Sequence, residues 1–212
     1  MKHLRLIHLV GCCAFLVFLT GCATKPYDYS AFRAHPPRSI LVLPPLNLST
    51  DVRATYGYLS TVSRPLAEMG YYVFPVAVVD QFMKENGLPT SGEMHQTSLQ
   101  KIHEILGADA VLYVTVTQYG SKYIVVNSVT TVAVVAKLVD VDSGATIWTG
   151  KGLVQHASSS GNGIADLVVA ALDQVINSAT DQAHNLSPMV NAQMLMNRNQ
   201  GLLPGPYFPV KK

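Results

Sequence analysis

Apolar residues fall into three kinds of pattern along the chain, and each predicts an element. The run "SILVLPPLN" (39–47) is continuous, short and closed by Pro44 and Pro45, as a buried first strand would be. Tyr56, Leu59, Val62 and Leu66 then recur at helical spacing, with Gly70 as the stop. Within that helix Pro65 predicts either a kink near Thr61 or a fresh start with Ser63 as N-cap. "YYVFPV" (71–76) reads as a second strand. Two short helices follow, around Val78 to Asn86 and Ser98 to Leu106. The second places Leu99, Ile102 and Leu106 on one face and stops at Gly107.

Period-two alternation dominates the next stretch. In "ADAVLYVTVTQYG" (108–120), Val111, Tyr113 and Thr115 alternate with Leu112, Val114 and Val116. "YIVVNSVTTVAVVAKLVDV" (123–141) and "ATIWTGKGLVQHA" (145–157) are joined by Asp142-Ser143-Gly144, which predicts an antiparallel hairpin with Trp148 in the core. Both faces of the run from Tyr123 to Val139 are mixed, which fits a sheet buried on two sides better than a membrane strand with one apolar face. Beyond "SSSGNG" (158–163), the strongest helical pattern runs through Ile164, Leu167, Val168, Ala171, Leu172, Val175, Ile176 and Ala179. The predicted order is β-α-β-α-α-β-β-β-α: a single α/β domain, with a mixed sheet and helices packed on it, over residues 39–184. Residues 185–212 read as a tail. Its Leu202, Leu203, Tyr207 and Phe208 are expected to dock on a partner copy or on the domain itself, with a homodimer the favoured arrangement.

The N-terminus has a different character. Lys2 and Arg5 precede an apolar stretch from about Leu9 to Leu19, too short for a helix to cross a ~30 Å hydrocarbon core, so residues 1–21 read as a signal peptide. Leu19, Thr20, Gly21 and Cys22 resemble the bacterial lipoprotein box, an aliphatic residue and two small ones before the cysteine that becomes acylated. An N-acyl diglyceride lipid on Cys22, with palmitate-type chains, is the one covalent group expected; each buried methylene holds by ~0.8 kcal/mol. Ala23, which is not Asp, implies sorting to the outer membrane under the enterobacterial rule. Residues 22–38, Pro-broken and aperiodic, read as a lipidated linker of at most ~50 Å that holds the domain on the periplasmic side.

Cleavage before Cys22 changes the rest of the picture. It removes Cys12 and Cys13, so the mature chain of 191 of the 212 residues can form no internal disulfide. It also removes Lys2 and Arg5, leaving 13 basic against 13 acidic residues, a balance that argues against nucleic acid as a partner. Charged residues make up 13% of the whole chain and hydrophobic ones 49%, a composition that favours protein partners.

Three of these segments carry a family resemblance. "ILVLPPLN", "LGADAVLYVTVTQYG" and "LVDVDSGATIWTGKG" resemble the successive core segments of the CsgG-like and TolB-N-terminal-like envelope lipoprotein superfamily. Within it, nearly the whole chain is similar to a family of neisserial-type lipoproteins with a domain of unknown function. The resemblance implies a fold, and a role as a transport or secretion accessory among envelope proteins. Some relatives form secretion pores, which gives the alternative of a subunit in an oligomeric outer-membrane pore. Those relatives carry two inserted hairpins, however, and this chain has no spare segment for the second.

Catalytic and metal-binding patterns are weak. His35, His95, His103, His156 and His184 are scattered and are expected on exposed helix faces; His103-Glu104 lacks the second histidine of a zinc helix, so no metal is expected. "SSSGNG" could offer N–H groups to an anion, but helix capping by Ser160 or Asn162 is the stronger reading. No Gly-x-Ser-x-Gly elbow is present, and an acylated Cys22 cannot be a nucleophile. The sequence therefore predicts a binding protein and not an enzyme.

Overall fold

The apolar run after residue 38 forms a strand, β1 (Ser39–Val42), buried on both faces. Ile40 and Val42 enter one apolar cluster, while Leu41 and the following Leu43 enter a second on the other side of the sheet. Two-sided burial is what a continuous apolar run, in place of an alternating one, provides for. The computed structural model describes residues 26–124, 127–158 and 182–209. The predicted signal segment 1–21, the predicted helix from Ile164 to Ala179, and the proposed caps Ser160 and Asn162 lie outside them.

Around β1 the described residues form α1 (Ser30–Ala34), β2 (Leu46–Asn47), α2 (Ala54–Glu68), β3 (Tyr72–Val73), α3 (Val76–Glu85), α4 (Ser91–Met94), α5 (Leu99–Leu106), β4 (Ala110–Ile124), β5 (Asn127–Asp140), β6 (Thr146–Ser158) and α6 (Gln182–Leu195). One mixed sheet runs β3-β1-β4-β5-β6, with β2 beside β4. β1 is parallel to β3 and to β4, and β2 is parallel to β4, pairings that require crossovers such as α2. β4, β5 and β6 pair antiparallel in succession. The expected α/β domain is therefore present, with Asp142-Ser143-Gly144 turning β5 into β6. The Gly-Ala-Asp turn before β4 is bonded directly to β1. Asp109 Oδ2 accepts the Arg38 and Ser39 N–H groups at 2.9 Å each, and Ser39 Oγ accepts the Asp109 N–H at 2.9 Å. That exchange ties the start of β1 to the start of β4. Gly107, at φ 67°, supplies the left-handed stop of α5 just before it.

α2 departs from expectation in two ways. It runs unbroken through Pro65, and Ser63 opens no new helix. Its buried stripe is Tyr58, Leu59, Val62 and Leu66, whereas Tyr56 is 50% exposed. Tyr58 lies i+4 and i+8 from Val62 and Leu66, so it takes the centre of the face. Tyr56 turns to the rim, where its hydroxyl bonds Asp80 Oδ1 at 3.3 Å and Lys84 lies over its ring.

The run from Tyr123 to Val139 is not one strand. Ile124 lies opposite Asn127, so the chain reverses between them and the run is shared by β4 and β5. Only Asn127 in that stretch hints at a turn. A register shift at Ile147 lets both Ile147 and Trp148 be buried, although neighbouring strand residues ordinarily face opposite ways. Close behind, Gly150 and Gly152 let α6 approach: a Cβ on Gly152 would stand 2.6 Å from Val190 Cγ1.

Both proposed domain boundaries shift. Residues 185–195 are no tail, because α6 buries Leu186, Val190, Met194 and Leu195 in the same cluster as α2 and Trp148. At the other end the linker is shorter than 22–38, since α1 places Phe32 in the core. The β5 region is buried on two sides only in part: Val132, Val134, Ala136 and Leu138 face the core, and on the other face Ala133 and Val139 are buried while Val135 and Lys137 are exposed. Helices α3, α4 and α5 contribute Val79, Met83, Met94 and Ile102 to the second cluster, which stands over β1 and the start of β4.

Candidate interaction surfaces

Aromatic residues fix the point at which the chain enters the domain. The Tyr27 hydroxyl accepts the Thr149 N–H at 2.8 Å, capping the outer edge of β6. Tyr29, whose ring lies 4.6 Å from that of Tyr27, donates its hydroxyl to the Gly201 carbonyl. Burial raises the Tyr29 phenol above its ordinary pKa. Sequence reasoning missed both tyrosines by treating the segment as a linker. The signal was available: Tyr27, Tyr29 and Phe32 are three aromatics in six residues, the same kind of apolar content that marked the C-terminal segment for docking.

That C-terminal segment docks on its own domain. Trp148 Nε1 donates to the Gln200 carbonyl at 3.0 Å, and the Leu202 N–H bonds the last carbonyl of α6, Leu195, at 2.8 Å. The Tyr71 hydroxyl donates to the Leu203 carbonyl, and burial raises that phenol too. Gly205 N–H reaches Met69 O at 2.8 Å and Tyr207 N–H reaches Gly70 O at 3.0 Å. Leu202 is thus buried and Leu203 half-buried against the domain itself, one of the two arrangements expected of the tail. Tyr207 and Phe208 present 64% and 45% of their surface.

A cleft of about 600 Å³ lies where α5 meets the sheet, with His95, Leu99, Tyr113 and Lys137 in its wall. His95 Nε2 donates to the Pro44 carbonyl at 2.9 Å, which fixes the imidazole tautomer because a carbonyl can only accept. Its ring packs edge-on against Tyr113, over which Lys137 also lies. Burial lowers the His95 pKa; Lys137 pushes it the same way and the bond to Pro44 opposes both.

The other histidines differ from the exposed-helix expectation, which holds for His103 alone. His156 is buried on β6, His184 Nδ1 bonds Gly57 O at 3.0 Å, and His35 lies 3.5 Å from Asp140. Among the described residues no three His, Cys, Asp or Glu side chains group as metal ligands, and no helix is long and apolar enough to cross a membrane. Leu19, Thr20, Gly21 and Cys22 lie outside the described residues.

Residues 27–207 match the family described as "Putative lipoprotein GNA1162-like", from the first docked tyrosine to the last residue bonded to Gly70. The chain belongs to this family. It is 41% identical over 206 residues to "Putative lipoprotein NMB1124/NMB1162" of Neisseria meningitidis serogroup B, covering 94% of this chain and 95% of the relative. The crystal structure of lipoprotein GNA1162 from Neisseria meningitidis superposes with a TM-score of 0.56 at 46% identity, over 67% of this chain and all of that one. The C-terminal domain of LpoB from Salmonella enterica gives a TM-score of 0.42 at 24% identity, over 56% of this chain and 83% of that one.

Proposed function

We propose that this member of the GNA1162-like family is acylated on Cys22 and held at the outer membrane with its domain in the periplasm. There it serves, without enzymatic activity, as a binding component of an envelope transport or secretion apparatus. The junction between anchor motif and domain carries the reading: the box ending at Cys22 lies five residues before Tyr27, which is already bonded to the sheet. Support for binding over catalysis comes from how the polar side chains are used. Asp109, Asn191, His95 and His184 each hold backbone groups of other segments, which is structural work. The pore alternative has less support, since Val132, Val134, Ala136 and Leu138 of the long hairpin are buried with Leu186 and Val190.

The anchor is tested by Cys22→Ala, which should abolish acylation in mass spectra and move the protein from the membrane fraction to the soluble periplasm. Retention on membranes after a high-salt wash would overturn it. Crosslinking in intact cells, with identification of the captured proteins, tests the apparatus; capture of no transport or secretion component would count against that role. A contact with a second copy is assigned to Tyr207 and Phe208. A dimeric mass in light scattering that becomes monomeric on Tyr207→Ser with Phe208→Ser supports it, and a monomeric parent overturns it.

A further inference from the structure

The β4–β5–β6 layer has one buried face; its other face is covered near α5, where Val139 is buried, and bare toward β6. Thr117, Val135, Lys137, Thr149, Lys151 and Leu153 stand exposed on the bare side, with Leu153 at 51%. Its charge is one-signed. From Ala110 to Ile124, Asn127 to Asp140 and Thr146 to Ser158 the strands contain a single carboxylate, Asp140, which faces the other way and accepts the Ser143 N–H at 2.8 Å. Lys137 and Lys151 therefore stand on this face with no acidic strand neighbour, beside the aliphatic Val135 and Leu153.

The chain enters at the border of that face. Tyr27 shares a cavity of about 650 Å³ with Val135, Thr149 and Lys151. Five residues span Cys22 to Tyr27, so the cysteine stays within about 17 Å of the Tyr27 backbone, whose hydroxyl holds the Thr149 edge, even when fully extended. On the core side that edge is covered by α1, which buries Phe32, and by α6, whose Gln193 accepts the Leu153 N–H at 3.0 Å. Among the described residues, the bare part of the sheet is the uncovered side next to the exit.

From this placement we infer that the Val135–Lys137–Lys151–Leu153 face lies against the phospholipid headgroups of the membrane that holds Cys22, so the domain is oriented as well as tethered. The inference rests on the proposed acylation of Cys22. Two lysines attract anionic headgroups while short aliphatic side chains reach the interface, an attraction too weak to hold a free domain. A tether of five residues raises the local concentration of headgroups enough to make it effective.

The acylated chain, reconstituted in vesicles of phosphatidylethanolamine and phosphatidylglycerol, provides the test. A fluorophore is placed by Leu153→Cys on the bare face or by Arg64→Cys on α2, where Arg64 has 86% of its side chain exposed on the opposite layer. Headgroup-nitroxide lipids should quench the first label several-fold more than the second, and Lys137→Glu with Lys151→Glu should bring the two closer. Equal quenching at both sites would overturn the orientation while leaving the anchor intact. So would a Leu153→Cys label shielded from aqueous iodide yet unquenched by headgroups, since a protein would then cover the face. Failure of the acylated preparation to float with vesicles would overturn the anchor and the orientation together.

Discussion

Asn191 Nδ2 lies 3.1 Å from the Thr61 carbonyl, the acceptor that Pro65 leaves without its helical donor. A proline four residues on has no N–H to give, so the carbonyl needs another partner in the interior. Asn191 supplies it from α6, bonds Thr61 Oγ1 at 3.0 Å with the same amide, and accepts the Tyr58 hydroxyl on its Oδ1. One fully buried side chain thus lets α2 continue through a proline and pins α6 to it.

Asn191→Ala should therefore destabilise the fold by ~2–4 kcal/mol, because it strands a carbonyl and a phenol in the core. Pro65→Ala restores an N–H that can serve Thr61. In that background Asn191→Ala should cost ~1 kcal/mol less, read from urea midpoints in a double-mutant cycle. Strict additivity would show that Asn191 does not replace the missing donor.

Gly70 sits at φ 85°, and a Cβ built there would come within 2.1 Å of the Phe208 amide nitrogen. Gly87 has nearly the same backbone, φ 81°, with nothing within 4 Å. Alanine at either position should cost ~1 kcal/mol for the left-handed conformation alone. Gly70→Ala should additionally release the C-terminal segment, seen as faster hydrogen exchange at the Tyr207 amide and earlier proteolysis near residue 205. Matching exchange profiles for the two variants would mean that Gly70 does not gate the docking.

The His95 imidazole has a folded pKa below the ordinary histidine value of about 6.5, mainly through burial. Between those two values the unfolded chain binds more protons than the folded one, so stability rises with pH across that window. It is fully present above about pH 6.5 and is lost as the pH falls through the folded value. His95→Gln can still donate to Pro44 but does not titrate. Its denaturation midpoint should fall less than that of the parent between pH 7.5 and 5, with the other histidines common to both. Parallel profiles would remove His95 from the acid sensitivity.

Periodicity made β1, α3, α5, the β5–β6 hairpin and the buried Trp148 legible, because each is set by residues close in sequence and by the two repeats of 3.6 and 2 that backbone geometry imposes. The proposed anchor motif likewise rests on four consecutive residues. Docking of Tyr27 on Thr149 and of Leu203 on Tyr71 was not, since those partners stand 122 and 132 residues apart. The reversal between Ile124 and Asn127 was hidden because β-branched residues suit a strand on either side of it. α6 escaped because Ser187 and Asn191 lie on its buried face and blur the apolar stripe. A polar residue can sit there only where another segment satisfies it, as Thr61 and Tyr58 satisfy Asn191. Neighbouring residues were thus enough to define most elements and the motif that would anchor them. Which face of the sheet stays bare, where both chain ends dock, and why a helix runs through Pro65 emerge only in the folded chain, because each depends on a hydrogen bond or contact whose two halves are far apart in sequence.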